Sequence, residues 1–256
     1  MLANLKKIPI VREITFISYL IMTISEFQFN LLSCSLITPR VKHFVGKIQS
    51  DAIWQFTPGQ FITIIFEHNQ KKIKRSYSIA NQPNPQNIIE FAASYVENGP
   101  GTEFLFNLHP GDSFTITGPF GRLVLKEPLP QRLFLVGTST GITPYRSMLN
   151  ELTKLACQIE IIQGVSNIED ILFEDDFLAI CNQNINFSVA VSRELSNKKH
   201  HFHGRLQAIL STKKLNPQND IVYLCGNPQM IDETTLLLQE QNFPIQNIIR
   251  EKYISR

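Results

Sequence analysis

This chain is short of cysteine, of charge and of long apolar runs, and each shortage excludes a class of protein. Its four cysteines, Cys34, Cys157, Cys181 and Cys225, lie far apart, with no C-x-x-C pair among them. An iron–sulfur centre or a structural zinc built on cysteine is therefore not expected. Scattered thiols without a disulfide framework fit a reducing compartment, and the expected location is cytoplasmic. Charged residues make up 18% and the net charge is +2. Binding to a phosphate backbone needs a concentrated basic face, so no nucleic-acid partner is expected. The one dense basic run, Lys71-Lys72-Ile73-Lys74-Arg75, reads either as a solvated hairpin or as a docking spot for an acidic partner. The apolar stretch 14–25 is shorter than the roughly 20 residues that a membrane-spanning helix needs. Glu13 and Glu26 flank it and no A-x-A-like cleavage site follows, so residues 1–28 read as a packed N-terminal extension rather than an export signal or membrane contact.

What the chain does contain is enough for two ordinary domains. It has 256 residues, 43% of them hydrophobic, which can form substantial cores. The first half carries runs rich in β-branched and aromatic residues at 29–37, 41–48, 60–66, 72–79, 88–96 and 113–118, separated by turn chemistry such as Thr57-Pro58-Gly59 and His109-Pro110-Gly111-Asp112. Six strands with one helical stretch, 102–108, predict an antiparallel six-stranded β-barrel over 29–127. The pattern then changes to strands at 132–136, 159–164, 186–192, 221–225 and 248–253. Helical stretches at 144–155, 169–181, 204–210 and 228–241 alternate with them. That alternation predicts an α/β domain with a five-stranded parallel sheet over 128–256, the boundary falling in Lys126-Glu127-Pro128-Leu129-Pro130.

Three short motifs carry the chemistry, and their order carries more than any one of them. Arg75-Ser76-Tyr77-Ser78 places a cation, an aromatic ring and a hydroxyl within four residues of a strand, and alternation sends Arg75 and Tyr77 to one face. Such a set suits a flat, anionic cofactor, although alone it also describes an ordinary edge strand. Gly137-Thr138-Ser139-Thr140-Gly141-Ile142-Thr143-Pro144 follows an apolar strand, where small residues let a backbone approach a pyrophosphate. Cys225-Gly226-Asn227-Pro228 ends another strand with a thiol, which could equally be a small buried hydrophobe. His200, His201 and His203 have no fourth ligand at metal-binding spacing and read as a loop, so no metal is assigned.

Taken together, in this order and spacing, the motifs resemble the ferredoxin–NADP(+) reductase superfamily over about residues 30–256. The resemblance implies FAD as cofactor and NADPH as the nicotinamide nucleotide, with NADH possible. It implies that Arg75 neutralises the flavin phosphates, Tyr77 stacks on the ring and Ser78 lies near the hydride-accepting position. Gly99-Pro100-Gly101-Thr102 resembles the pyrophosphate cradle, Tyr95 and Val96 the backbone segment along the flavin, and Pro119-Phe120-Gly121-Arg122 a closing turn. Thr138, Thr140, Gly141 and Pro144 match the nucleotide turn, but Ser139 stands where the family has glycine. Ser192 and Arg193, with Arg205, resemble the 2′-phosphate contacts, while Ser166 replaces a further arginine of some relatives. Cys225 and Gly226 would adjoin the nicotinamide, and Glu251 and Tyr253 resemble the tail that covers the flavin. The implied catalytic set is Ser78, Cys225 and Glu251. The implied partner is a ferredoxin or flavodoxin-type electron carrier, or an oxygenase component served by a reductase subunit. A degenerate, non-catalytic flavin-binding module is the third reading.

Overall fold

The computed structural model describes residues 25–254; the extension read at 1–28 lies almost wholly outside them. The barrel is built from β1 (Glu26–Thr38), β2 (Val41–Ile48), β3 (Phe61–His68), β4 (Lys71–Ser78), β5 (Ile88–Ser94), helix α1 (Pro100–Phe106) and β6 (Ser113–Phe120). All pairings are antiparallel, in the order β4-β3-β6-β1-β2-β5. An Ile79↔Phe91 bridge brings the two outer strands together just past β4. Inward side chains alternate along the strands, as a sheet with one buried face requires. They form a phenylalanine-rich core in which Phe44 stacks on Phe91 at 4.8 Å and Phe29 on Phe114 at 4.9 Å.

Beyond Arg132 the chain alternates. Its elements are β7 (Arg132–Thr138), α2 (Thr143–Ser147), α3 (Leu149–Leu152), β8 (Gln158–Val165), α4 (Glu174–Ala179), β9 (Ile185–Val191), β10 (His201–His203), α5 (Leu206–Thr212), β11 (Asp220–Gly226), α6 (Pro228–Glu240) and β12 (Ile248–Lys252). The strands are parallel in the order β10-β9-β8-β7-β11-β12. The sheet order reverses between β7 and β11, which opens a crevice at their carboxyl ends. Alternate residues of β7 serve opposite faces: Leu133 and Leu135 pack with α2, α3 and α4, Phe134 and Val136 with α5 and α6. At the opposite end of the sheet, buried Asp220 accepts a two-pronged hydrogen bond from Arg132.

Three expectations need correction. The parallel sheet has six strands rather than five, because His201–His203, read as a loop, pairs with β9 as β10. Three residues are too few for a periodic signal. The helix expected over 144–155 is broken at Met148. There Ser147 Oγ donates to the Pro144 carbonyl at 2.7 Å and accepts from Gly59 N–H at 2.8 Å, drawing the turn toward the barrel. The helix expected over 169–181 is a turn of 3-10 helix and the short α4. Between them Phe173 adopts φ +57°, placing its ring under the Arg146 guanidinium at 4.6 Å. Among the described residues no helix is long and apolar enough to cross a membrane.

Candidate functional site

A cleft of about 1400 Å³ runs between the two sheets, more than the roughly 300–1000 Å³ of a pocket for one small ligand. Strand β4 supplies one wall. Its alternation leaves Arg75 and Tyr77 half-buried and Lys74 and Ser76 exposed, all four at the cleft. The Tyr77 ring packs on Phe91 at 5.4 Å, and burial pushes its hydroxyl up to about 12 despite the neighbouring Arg75. Opposite lies the start of α1. A Cβ added to Gly101 would come 2.9 Å from Tyr77 Oη and 3.1 Å from Arg75 Cγ, so only glycine fits the backbone this close to those side chains. The N–H groups of Gly101 and Thr102 open the helix and have no helical carbonyl to meet. The Thr102 hydroxyl accepts from Val96 N–H at 2.9 Å, which pins the 96–102 turn and leaves its own proton free to donate. Tyr95 and Val96 stand on the cleft with 45% and 39% of their surface exposed. A cation, aromatic surface and helix-start N–H groups converge here, and this donor set fits a flavin dinucleotide.

The second wall is the crevice between β7 and β11. Thr138, Ser139, Thr140 and Gly226 line it. Thr138 Oγ1 accepts from Asn227 N–H at 3.0 Å, and the Asn227 side chain caps α6. Ser139 adopts φ +49°, a left-handed conformation costing a side-chain-bearing residue about 1 kcal/mol. Serine at this position thus carries backbone strain that glycine would not. Further along, Ser192 and Arg193 are exposed on the cleft. Arg205 lies there too, 71% exposed and 3.2 Å from Glu233. An exposed pair of this kind is worth about 0–1 kcal/mol, so an incoming phosphate can replace it cheaply.

The two walls meet at β12. Its parallel register sets Glu251 beside Cys225, and Tyr253 N–H donates to the Gly226 carbonyl at 2.8 Å. From there Tyr253 Oη reaches Ser78 Oγ at 2.6 Å, and Ser78 donates to Glu251 at 3.5 Å. Burial pushes the Glu251 carboxyl up to about 7, although its bond to Ser78 pulls the other way. Burial, with the adjacent Glu251, raises the Cys225 thiol well above its ordinary range, so it is a neutral thiol and not a nucleophile. Hydrogen bonds thus link Ser78 to both Tyr253 and Glu251 where the two walls meet.

Three expected site residues lie beneath the cleft rather than on it: Gly141, Pro144 and Cys225 are absent from its lining. Cys225 is fully buried, and Pro144 is buried in the first turn of α2. A Cβ on Gly141 would sit 2.3 Å from the Cys225 carbonyl oxygen, so this glycine lets the turn after β7 cross β11 at backbone contact. Gly141→Ala is expected to cost about 2–3 kcal/mol by forcing those backbones apart. A denaturant midpoint equal to that of the wild type would show that the crossing has slack.

Sequence reasoning missed the seam that aligns the two walls. Arg146 on α2 donates to Glu90 of β5 at 2.7 Å, to the Ala80 carbonyl at 3.2 Å and to Asp176 of α4. His43 Nε2 lies 3.2 Å from the same Glu90 carboxylate. The imidazole and the Arg146 guanidinium hold Glu90 down to about 2, against burial. Val41 and Ala92 of the barrel also belong to the core of the parallel sheet. No local pattern announces such long-range partners.

Comparison with known proteins agrees with this geometry. The family described as oxidoreductase FAD-binding domain matches residues 28–125, and that described as oxidoreductase NAD-binding domain matches 135–235. The chain is 30% identical to the ferredoxin–NADP reductase of Azotobacter vinelandii, covering 72% of this chain and 78% of that one. It is 30% identical to the flavodoxin/ferredoxin–NADP reductase of Buchnera aphidicola subsp. Baizongia pistaciae, covering 94% and 95%. Among solved structures, a ferredoxin NADP+ reductase from Neisseria gonorrhoeae with bound FAD and NADP superposes with a TM-score of 0.80 at 22% identity. That match covers 90% of this chain and 99% of that one.

Proposed function

The chain belongs to the ferredoxin–NADP reductase superfamily, and from that premise we propose that it is an FAD-dependent oxidoreductase exchanging electrons between NADPH and a ferredoxin or flavodoxin-type carrier. The observation that supports this best is the convergence of Arg75–Ser78 with Gly226–Tyr253 in one cleft. We place the barrel domain at 29–127 and the nucleotide domain at 128–256. The two reductases at 30% identity, named for ferredoxin or flavodoxin, favour a reductase serving such a carrier over an oxygenase subunit, whose named relatives are 23–27% identical. Free thiols throughout the described residues support a cytoplasmic setting.

In this reading Arg75, Tyr77, Tyr95, Val96, Gly99, Gly101 and Thr102 hold FAD, and Thr138, Thr140, Gly226, Ser192, Arg193 and Arg205 hold NADPH. Bound flavin supplies the means to accept a hydride and release electrons singly. The chain supplies positioning: Gly141, Pro144 and Cys225 shape the floor, and Tyr253 closes the cleft over Ser78. A carboxyl at about 7 lets Glu251 hold a proton at neutral pH beside Ser78. Anaerobic NADPH is expected to bleach the yellow FAD-loaded protein, and to do so at lower concentration than NADH. A preparation that neither nucleotide bleaches would leave only the non-catalytic reading.

A further inference from the structure

Away from the cleft, α4 and the segment entering β10 bring together side chains to which the reductase reading gives no role. His200 Nε2 lies 2.8 Å and His201 Nε2 lies 2.6 Å from one oxygen of Glu174, Oε1. One donor atom from each residue falls within 4.8 Å of the others. The His201 side chain is fully buried, and those of Glu174 and His200 are 17% and 23% exposed. None of the three lines the cleft.

The remaining polar atoms are placed as they would be around ligands. Lys198 Nζ donates to the other carboxylate oxygen, Glu174 Oε2, and Ser196 Oγ lies 2.7 Å from His201 Nδ1. Outer hydrogen bonds of this kind orient a ligating carboxylate and fix which ring nitrogen faces the metal. The Phe187 ring, stacked on Phe177 at 5.1 Å, lies 6.1 Å from the His200 ring and gives the cluster an apolar floor.

We propose that Glu174, His200 and His201 form a site for a divalent transition-metal ion of the zinc class. Two imidazoles and one carboxylate suit a borderline-soft ion and disfavour Mg²⁺ or Ca²⁺, which prefer oxygen alone. Three protein ligands leave a fourth position for water. Without the ion both imidazoles donate N–H to the single oxygen. With it, Nε2 of each turns a lone pair to the metal, and the His201 Nδ1–H donates to Ser196. The ion would fasten the segment between Arg193 and Arg205 onto α4.

Titration of untagged, FAD-loaded, chelator-treated protein with ZnCl₂ by calorimetry tests this. The expected result is uptake of one equivalent with a Kd near or below about 1 µM, weakened at least about tenfold by Glu174→Gln and by His200→Ala. Both variants should retain their FAD, and His203→Ala, whose ring meets the Glu194 carbonyl instead, should bind zinc like the wild type. Absence of stoichiometric uptake would overturn the proposal. So would wild-type affinity in the Glu174→Gln and His200→Ala variants, or loss confined to the His203→Ala variant.

Discussion

Replacing Arg75 and Tyr77 together by alanine is expected to yield a folded but colourless protein, with FAD affinity reduced roughly a thousandfold. Hydrogen bonds from a guanidinium to an anion contribute about 1.5–3 kcal/mol. Loss of an aromatic surface against a planar ring costs about 2 kcal/mol more. Their sum, about 4 kcal/mol, is three decades in Kd. The barrel should survive, because Tyr77 lies at the margin of its core while Phe29, Phe44, Phe91 and Phe114 form the centre. Tyr77→Phe keeps the ring and should keep most of the FAD. The ratio of flavin to protein absorbance after gel filtration reads the result, and fluorescence titration of the FAD-free form gives the Kd. A double variant that elutes with a full complement of FAD would refute the assignment of β4 as the flavin wall.

The second large effect is on stability against pH, through Glu251. Its carboxyl titrates near 7 in the fold against an ordinary value of 4.5, so the folded state carries more bound protons than the unfolded chain between those values. Stability therefore falls as pH rises, by up to 1.36 kcal/mol per pH unit, or about 3 kcal/mol in all from pH 4.5 to pH 8. Above pH 8 the slope from this group vanishes. Glu90 and Glu174, held down to about 2, act in the opposite direction, but only below pH 4.5, where their contribution is lost as pH falls. Glu251→Gln should thus gain about 3 kcal/mol on the wild type as pH rises from 4.5 to 8, with both proteins measured at one FAD concentration. Parallel pH–stability curves would show that Glu251 ionises in the fold at its ordinary value.

The barrel strands were legible because β-branched and aromatic residues alternate between turns, and both boundaries of β2 matched the reading. The helices were less so. Ser147 turns its hydroxyl to the barrel and Phe173 its ring to Arg146, and tertiary partners of this kind leave no periodic trace. The site shows the same division. The motifs gave the chain positions of the Tyr77 wall and the Gly226 wall, but not depth. Gly141, Pro144 and Cys225 therefore look in sequence like cleft residues, although the fold places them under its floor. The Glu90–Arg146 link joins residues 56 positions apart, and Glu174 stands 26 positions from His200. Neither separation follows any local rule, so neither pair was foreseeable.

The bond between Ser78 and Tyr253 spans 175 positions, and a ribosome delivers the chain from its N-terminus. The barrel strands are all synthesised by Phe120, so the first wall emerges while the residue that covers Ser78 has yet to be translated. Assembly thereby acquires an order: the strand that carries Ser78 exists before the residue that closes over it.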